Sequence, residues 1–172
     1  HSCLKENRTA TANVVNYSLK NRIKKLCYVS STAAIGSNEN GLTDETTPWE
    51  PGAEVSGYSI SKFSAEKEVW RGIEEGLTAV IINPCLILGP GDWNSGSLSI
   101  FRSAKKGLFF YTSGANAVVD ARDVAHSMRL LMKSDIVAER FLCIGENISF
   151  HDLLIALSRR FNTNPPKYLT PK

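Results

Sequence analysis

No stretch of this sequence approaches the roughly 18 consecutive apolar residues that a helix needs to cross a bilayer, so a helical membrane span is excluded. Histidine is scarce: His1, His126 and His151 lie far apart and supply no metal-binding cluster. Cysteine is little used. Cys3, Cys27, Cys85 and Cys143 form no CxxC pair, and three of them sit in the apolar runs "LCYV", "NPCLIL" and "FLCIG". That placement suits buried free thiols, with neither a disulfide framework nor a metal site. Net charge is small as well, at +3, and only Lys24-Lys25, Lys105-Lys106 and Arg159-Arg160 are adjacent cations. Neither nucleic acid nor a membrane surface is indicated as a partner. Reduced thiols and the lack of a signal peptide point to the cytoplasm. An initiator methionine is also missing: the chain opens on "HSCLKENRTATANVVNYSLKN", which reads as the start or middle of an amphipathic helix. A piece of a longer protein is expected.

What is present is an ordinary globular composition, 42% hydrophobic and 22% charged over 172 residues, enough for one core. Val14, Val15, Tyr17 and Leu19 are spaced for a helix over about residues 5 to 21. "IKKLCYVSS" follows as a short buried strand, and "GSNENGLTDETTPWEPG", residues 36 to 52, as a long loop of the kind that often carries function. Residues 57 to 75 read as a second helix, with Phe63, Val69, Trp70 and Ile73 on its apolar side and Gly76 as its stop signal. In "LTAVIINPCLILGPGD" the first half has the doubly apolar character of a parallel strand covered on both faces, which Pro84 ends. Helices near 96 to 106, 122 to 133 and 149 to 160 and strands at "NAVVD" and "RFLCI" complete the pass. Asp123 is expected to cap the helix it begins, the one near 122 to 133. Strands alternate with helices, which argues for an α/β fold.

One short stretch carries chemistry. "SGYSISK", residues 56 to 62, sets Tyr58 and Lys62 four apart at the start of the second helix, where positions i and i+4 share a face. Alone the spacing is weak, because a chain of this composition contains such a pair by chance roughly one time in three. Tyr168 and Lys172 in "YLTPK" repeat it, but Pro171 argues against a helix there. A free tyrosine has a pKa of about 10, and a neighbouring cation favours its phenolate. Such a phenol can pass a proton to or from a substrate oxygen while a nicotinamide ring exchanges the hydride. Ser30, Ser31 and Thr32 in "YVSSTAAIG" offer hydroxyls where a buried strand ends, the place where ligands of α/β sheets collect.

The order "VSSTAAIG", "YSISK", "NPCLILGPGD" and "VVDARDVA" resembles the second half of an extended short-chain dehydrogenase/reductase, the NAD-dependent epimerase/dehydratase family. The resemblance runs from about residue 7 to the end. It implies a Rossmann-like doubly wound parallel sheet truncated at its N-terminal half. Residues 1–90 would form the second half of the dinucleotide-binding domain, with the catalytic motifs. Residues 91–172 would form mainly a small substrate-binding α/β portion that returns partly to the core. It also implies a catalytic set of Ser31, Tyr58 and Lys62, with Tyr58 as acid/base and Lys62 lowering its pKa and holding the nicotinamide ribose. Ser30, Pro84, Cys85 and Leu86 would join Tyr58 and Lys62 in holding NAD or NADP. Thr32 and Asn94 would contact a small-molecule substrate, and the helices near 5–21 and 57–75 would pair in a homodimer, with Val69 and Trp70 suited to that surface or to the core.

Departures from the family pattern narrow the expectation. Thr32 and Ala33 stand where sugar-nucleotide dehydratases of the family carry an Asp-Glu pair, so dehydration is not expected. Asn83 and Leu86 occupy the outer positions of the epimerases' R-x-F-N, and Asn116 aligns near their diphosphate-clamping arginine. "INPCLILGP" and "VVDARDVA" look more like the dihydroflavonol reductase and hydroxysteroid dehydrogenase branch, which works on small carbonyl compounds. Gly89, Gly91 and Gly96 lack GxGxxG spacing and are expected to shape a turn. Nothing in residues 1 to 30 matches the GxxGxxG half of the family. The expected activity is an NAD(P)-dependent oxidoreductase; a nucleoside-diphosphate-sugar epimerase and a non-catalytic scaffold are the alternatives.

Overall fold

The computed structural model describes residues 2–38, 42–52, 55–94 and 96–170, with side chains from Glu6 onward; the Cys3 side chain and Lys172 fall outside that set. Its elements are α1 (Ser2–Lys20), β1 (Leu26–Val29), α2 (Gly57–Glu74), β2 (Ala79–Pro84), β3 (Leu86–Leu88), α3 (Ser99–Lys106), β4 (Phe110–Tyr111), β5 (Ala115–Asp120), α4 (Ala121–Lys133), β6 (Arg140–Cys143), β7 (Glu146–Ser149), α5 (Phe150–Phe161) and β8 (Tyr168–Leu169). The chain divides into two compact units, His1–Pro84 with Ala125–Cys143, and Cys85–Val124 with Ile144–Lys172.

In the first unit β1, β2 and β6 form a parallel sheet in the order β1-β2-β6, with Leu26 opposite Ala79 and Ile81 opposite Arg140. Parallel pairing demands long crossovers, and α2 with its preceding loop supplies the one from β1 to β2. β2 is buried throughout, since Ala79 and Ile81 face one way and Val80 and Ile82 the other and none is more than 1% exposed. The hydrophobic run is therefore explained by two covered faces. On one of them α1 and α2 contribute Val15 and Val69 to a core with Leu77, Ala79 and Ile81, against which Leu26, Tyr28, Trp70 and Ile73 pack. Each such aliphatic side chain stabilises the fold by roughly 1.5–3 kcal/mol on burial. Val69 is wholly enclosed in this core, so of the two readings offered for it the intrachain one is occupied.

Polar contacts fix the two helices to each other. Glu68 receives Arg8 from α1 at 2.8 Å and Arg71 from its own helix at 2.9 Å, and Arg71 also donates to Asn16. Helix α2 begins on Ser56, whose hydroxyl accepts the Ser59 N–H, and ends before Gly76, whose φ of +97° favours glycine. Lys25 lays its ammonium on the carbonyls of Leu131 and Ser134 at the end of α4, where the helix dipole favours a cation.

The second unit carries the order β3-β5-β7, parallel between β3 and β5 and antiparallel between β5 and β7, with the two-residue β4 and β8 paired beside it. Helices α3 and α5 pack together, and Trp93 meets the rings of Phe101 and Phe161, each 5.6 Å away. One expectation is corrected here. Asp123 does not cap α4 but lies within its first turn; the helix starts at Ala121, and Asp120 accepts the Arg122 N–H at 2.8 Å. The Arg122 guanidinium bound to the same carboxylate holds its pKa down to about 2. Aspartates flank the helix start on both sides, and the one ahead of it reaches the free N–H.

Candidate active site

Tyr58, Lys62 and Glu66 follow one another at intervals of four along α2, so they form a single stripe on one side of the helix. The Tyr58 ring is 56% exposed. Lys62 is half-buried; its Nζ lies 3.5 Å from the Val29 carbonyl oxygen and 5.8 Å from the centre of the Tyr28 ring. Burial pushes the Lys62 ammonium below its ordinary pKa, and the Glu66 charge opposes that shift. Tyr28 is itself pushed up by burial, although its phenol shares a hydrogen bond with Thr11 at 3.2 Å.

Ser31 follows β1 in extended conformation, φ −163° and ψ 153°, and its Oγ accepts the Ala33 N–H at 3.2 Å, capping a short 3-10 turn over Thr32–Ala34. A hydroxyl with one lone pair used this way keeps its O–H to donate. Thr32 is partly buried in the same turn. Ser30 is buried, its N–H donates to Ile82, and its Oγ has no partner among the described residues.

Two links bring the first two turns of α2 to the end of β1 and the segment after it. One is the Lys62 contact with Val29; the other is Ser59, which donates to the Ala33 carbonyl at 2.6 Å and accepts from Trp49 Nε1 at 3.1 Å. The Trp49 ring stacks on Phe63 with centroids 4.2 Å apart and planes within 8°. Gly36 permits the loop to close at its other end, since a Cβ there would lie 1.8 Å from the Pro48 carbonyl oxygen. The long loop is thereby tied down at both sides of its middle stretch.

Beneath the stripe lies a buried polar group that the sequence reading did not single out. Glu66, 1% exposed, accepts from Asn83 Nδ2 at 2.8 Å, from Trp70 Nε1 at 3.2 Å and from Arg140 at 3.2 Å. Asn83, fully buried in β2, also donates to the Ser31 carbonyl at 3.0 Å. Arg140 reaches on to the Glu45 carbonyl, and the Glu45 carboxylate accepts the Leu142 N–H. The signal available in sequence was the spacing alone, because Glu66 and Trp70 continue the Tyr58–Lys62 interval by two more steps.

Pro84 closes β2 in register with Cys143. In the second unit Cys85 is buried and Leu86 opens β3 opposite Val118. Asn94, in that unit too, donates to Asp92 at 2.7 Å and accepts from Arg102 at 3.1 Å. Cys27, Cys85 and Cys143 form no disulfide among the described residues, and burial pushes the Cys27 thiol up. Among the described residues no three His, Cys, Asp or Glu side chains gather as metal ligands, and no helix is long and apolar enough to cross a membrane.

The arrangement suits a nicotinamide dinucleotide. Its Lys62 ammonium is backed by a neutral carbonyl, the phenol beside it is open, and a hydroxyl with a free O–H stands at the same end of the parallel strands.

Comparison with known proteins bears on that fit. A family model described as NAD dependent epimerase/dehydratase family matches residues 1–145. A Synechocystis sp. protein provisionally named dihydroflavonol 4-reductase is 29% identical over 97% of this chain and 51% of its own length. Cinnamoyl-CoA reductase 1 of Petunia hybrida is 28% identical over 94% of the chain and 50% of that protein. The crystal structure of gox2253 superposes with a TM-score of 0.89 at 32% identity, covering 98% of this chain and 52% of that one. The chain thus spans about half the length of the curated relatives it matches. With a Rossmann-type α/β architecture and the family's motifs in order over most of its length, the chain belongs to the NAD-dependent epimerase/dehydratase family.

Proposed function

We propose that the intact protein is an NAD(P)-dependent oxidoreductase of small alcohols or ketones, with Tyr58 as its acid/base. The observation that carries this reading is the stripe on α2: an exposed phenol one turn before an ammonium that is anchored at the end of β1. When bound, the dinucleotide supplies the hydride donor or acceptor. Tyr58 moves the proton at the substrate oxygen, Lys62 favours the phenolate by its charge and would hold the ribose, and Ser31 donates to the reacting oxygen. Ser30, Pro84, Cys85 and Leu86 are proposed to complete the cofactor site, and Thr32 and Asn94 to touch substrate. Similarity to proteins named dihydroflavonol 4-reductase and cinnamoyl-CoA reductase favours a reductase over sugar-nucleotide epimerisation.

The test is incubation of the intact protein with NAD or NADP and a panel of small alcohols, reading the absorbance of reduced nicotinamide. Turnover that drops roughly 10²- to 10⁴-fold in Tyr58→Phe supports the reading. Conversion of a sugar nucleotide with no net reduced cofactor would favour the epimerase, and failure to bind either dinucleotide the scaffold.

We also propose cytoplasmic location, supported by cysteines that form no disulfide among the described residues, and a homodimer through α1 and α2. With Val69 enclosed, the pairing surface would be drawn from Val14, Tyr17 and Ile60, which are exposed. Sedimentation of the intact protein gives its mass directly, and a monomer at micromolar concentration would overturn the pairing.

A further inference from the structure

We propose that Asn83 and Glu66 are positioning residues that hold the Ser31 peptide, and so aim the Ser31 hydroxyl. The inference rests on the catalytic reading of Ser31 given above. Ser31 presents its carbonyl oxygen to two donors: the Ala34 N–H at 2.9 Å, which belongs to the short turn, and Asn83 Nδ2 at 3.0 Å, which comes from the neighbouring strand. The turn bond moves with the turn; among the described residues it is the Asn83 bond that ties this carbonyl to the sheet. The neighbouring ties, Ser30 N–H on Ile82 and Ser59 on the Ala33 carbonyl, fix the residues on either side of Ser31 and leave its own carbonyl to Asn83 and the turn.

An asparagine amide could rotate and lose this alignment. Here the second Nδ2 hydrogen is taken by Glu66 Oε2 at 2.8 Å, so both hydrogens of one nitrogen are committed and the amide has a single orientation. Glu66 is in turn fixed by two donors on its other oxygen, the Trp70 indole from its own helix and Arg140 from β6. Four elements of one unit therefore meet at this carboxylate: α2, β2, β6 and, through Asn83, the segment after β1. A buried carboxylate is costly without such partners, and a purely apolar filling of the same volume would serve stability as well or better. Its retention next to the proposed hydroxyl is explained by placement, since misplacing a reacting group by about 1 Å can lower turnover some 100-fold.

The pair is tested in the intact protein with Asn83→Leu, which keeps the volume and removes the donor, and Glu66→Gln, which keeps the shape and removes the charge. Val69→Ala, in the adjoining core and without a hydrogen bond in the network, controls for lost stability. Two quantities are read: the carbonyl chemical shift of Ser31 with hydrogen exchange at the Ala33 N–H, and the kinetic constants. The expected result is a shifted Ser31 carbonyl and faster Ala33 exchange in both variants. Turnover should fall roughly 10- to 100-fold with KM for the dinucleotide changed less than about twofold. Glu66→Gln, whose single amide oxygen can still accept from Asn83, is expected to retain more of both signals than Asn83→Leu. Variants whose Ser31 and Ala33 signals match those of Val69→Ala overturn the proposal whatever the enzyme does. Signals that move in a wild type without turnover uphold the positioning and sink the catalytic reading instead. Should Asn83→Leu not fold, Glu66→Gln alone decides between these outcomes.

Discussion

Lys62 holds its ammonium 3.5 Å from the carbonyl oxygen of Val29, the last residue of β1. A neutral acceptor orients the cation without cancelling its charge. The half-buried setting that orients the group also makes its charge costly.

That cost sets a pH dependence. Burial lowers the Lys62 pKa, while Glu66, four residues on, raises it; Tyr28 from β1 and Tyr58 from α2 are the other titratable groups beside it. The folded-state pKa lies below the unfolded one, so the buried ammonium opposes folding at neutral pH. This opposition fades as pH rises through the folded value towards the ordinary lysine range. The alkaline limb of a turnover profile should accordingly fall below the roughly 10.4 of free lysine. Glu66→Gln should move that limb further down, and an unchanged limb would show that Lys62 does not control it.

Gly36 and Gly57 are expected to respond oppositely to the same substitution. Gly36→Ala drives a Cβ into the Pro48 carbonyl and should destabilise by about 1–3 kcal/mol, the usual cost of overpacking. Gly57→Ala has open space in the first turn of α2 and should stabilise by roughly 0.5–1 kcal/mol. Urea melts of the two variants measure both signs.

Ser59→Ala removes a donor to Ala33 and an acceptor for Trp49 together. A loss of about 1–3 kcal/mol is expected, because a carbonyl and an indole N–H lose their partners. Trp49 fluorescence, isolated by replacing Trp70 and Trp93 with phenylalanine, should then report a wetter indole before global unfolding. Coincident transitions would show that the loop latch has no independent opening.

Acid should loosen the clasp between α1 and α2. Hydrogen bonds from Arg8 and Arg71 hold Glu68 below the usual carboxylate range. Its contribution is therefore present above the unfolded-state pKa and lost as pH falls through the folded value. Glu68→Gln should flatten the acid limb of a stability-pH curve and cost little there, since the Arg8 side chain is largely exposed. An identical acid limb in wild type and variant would place the sensitivity elsewhere.

The sequence made the large elements of the first unit readable because their periodicity is set by local geometry. Leu26–Val29 and Ala79–Pro84 are apolar runs bounded by polar punctuation, and Gly57–Glu74 carries both its capping serine and its terminating glycine. β7 was not readable, since Glu146–Ser149 shows neither an apolar run nor alternation and exists only through its pairing with β5. The two-residue β4 and β8 likewise depend on each other and on nothing local. In the site, the Tyr58–Lys62 interval could be read because a helix converts spacing into proximity. The Glu66 network could not, because Asn83 and Arg140 reach it from strands 17 and 74 residues further along. Asp123 misled for a related reason: either of two nearby aspartates satisfies the composition rule for a helix start, and backbone geometry alone chose Asp120.

The chain changes compact unit after Pro84, after Val124 and again after Cys143. Neither unit is one continuous stretch, so a recombination event with a single crossover cannot exchange either of them whole. Chimeras would need Cys85–Val124 and Ile144–Lys172 transplanted together.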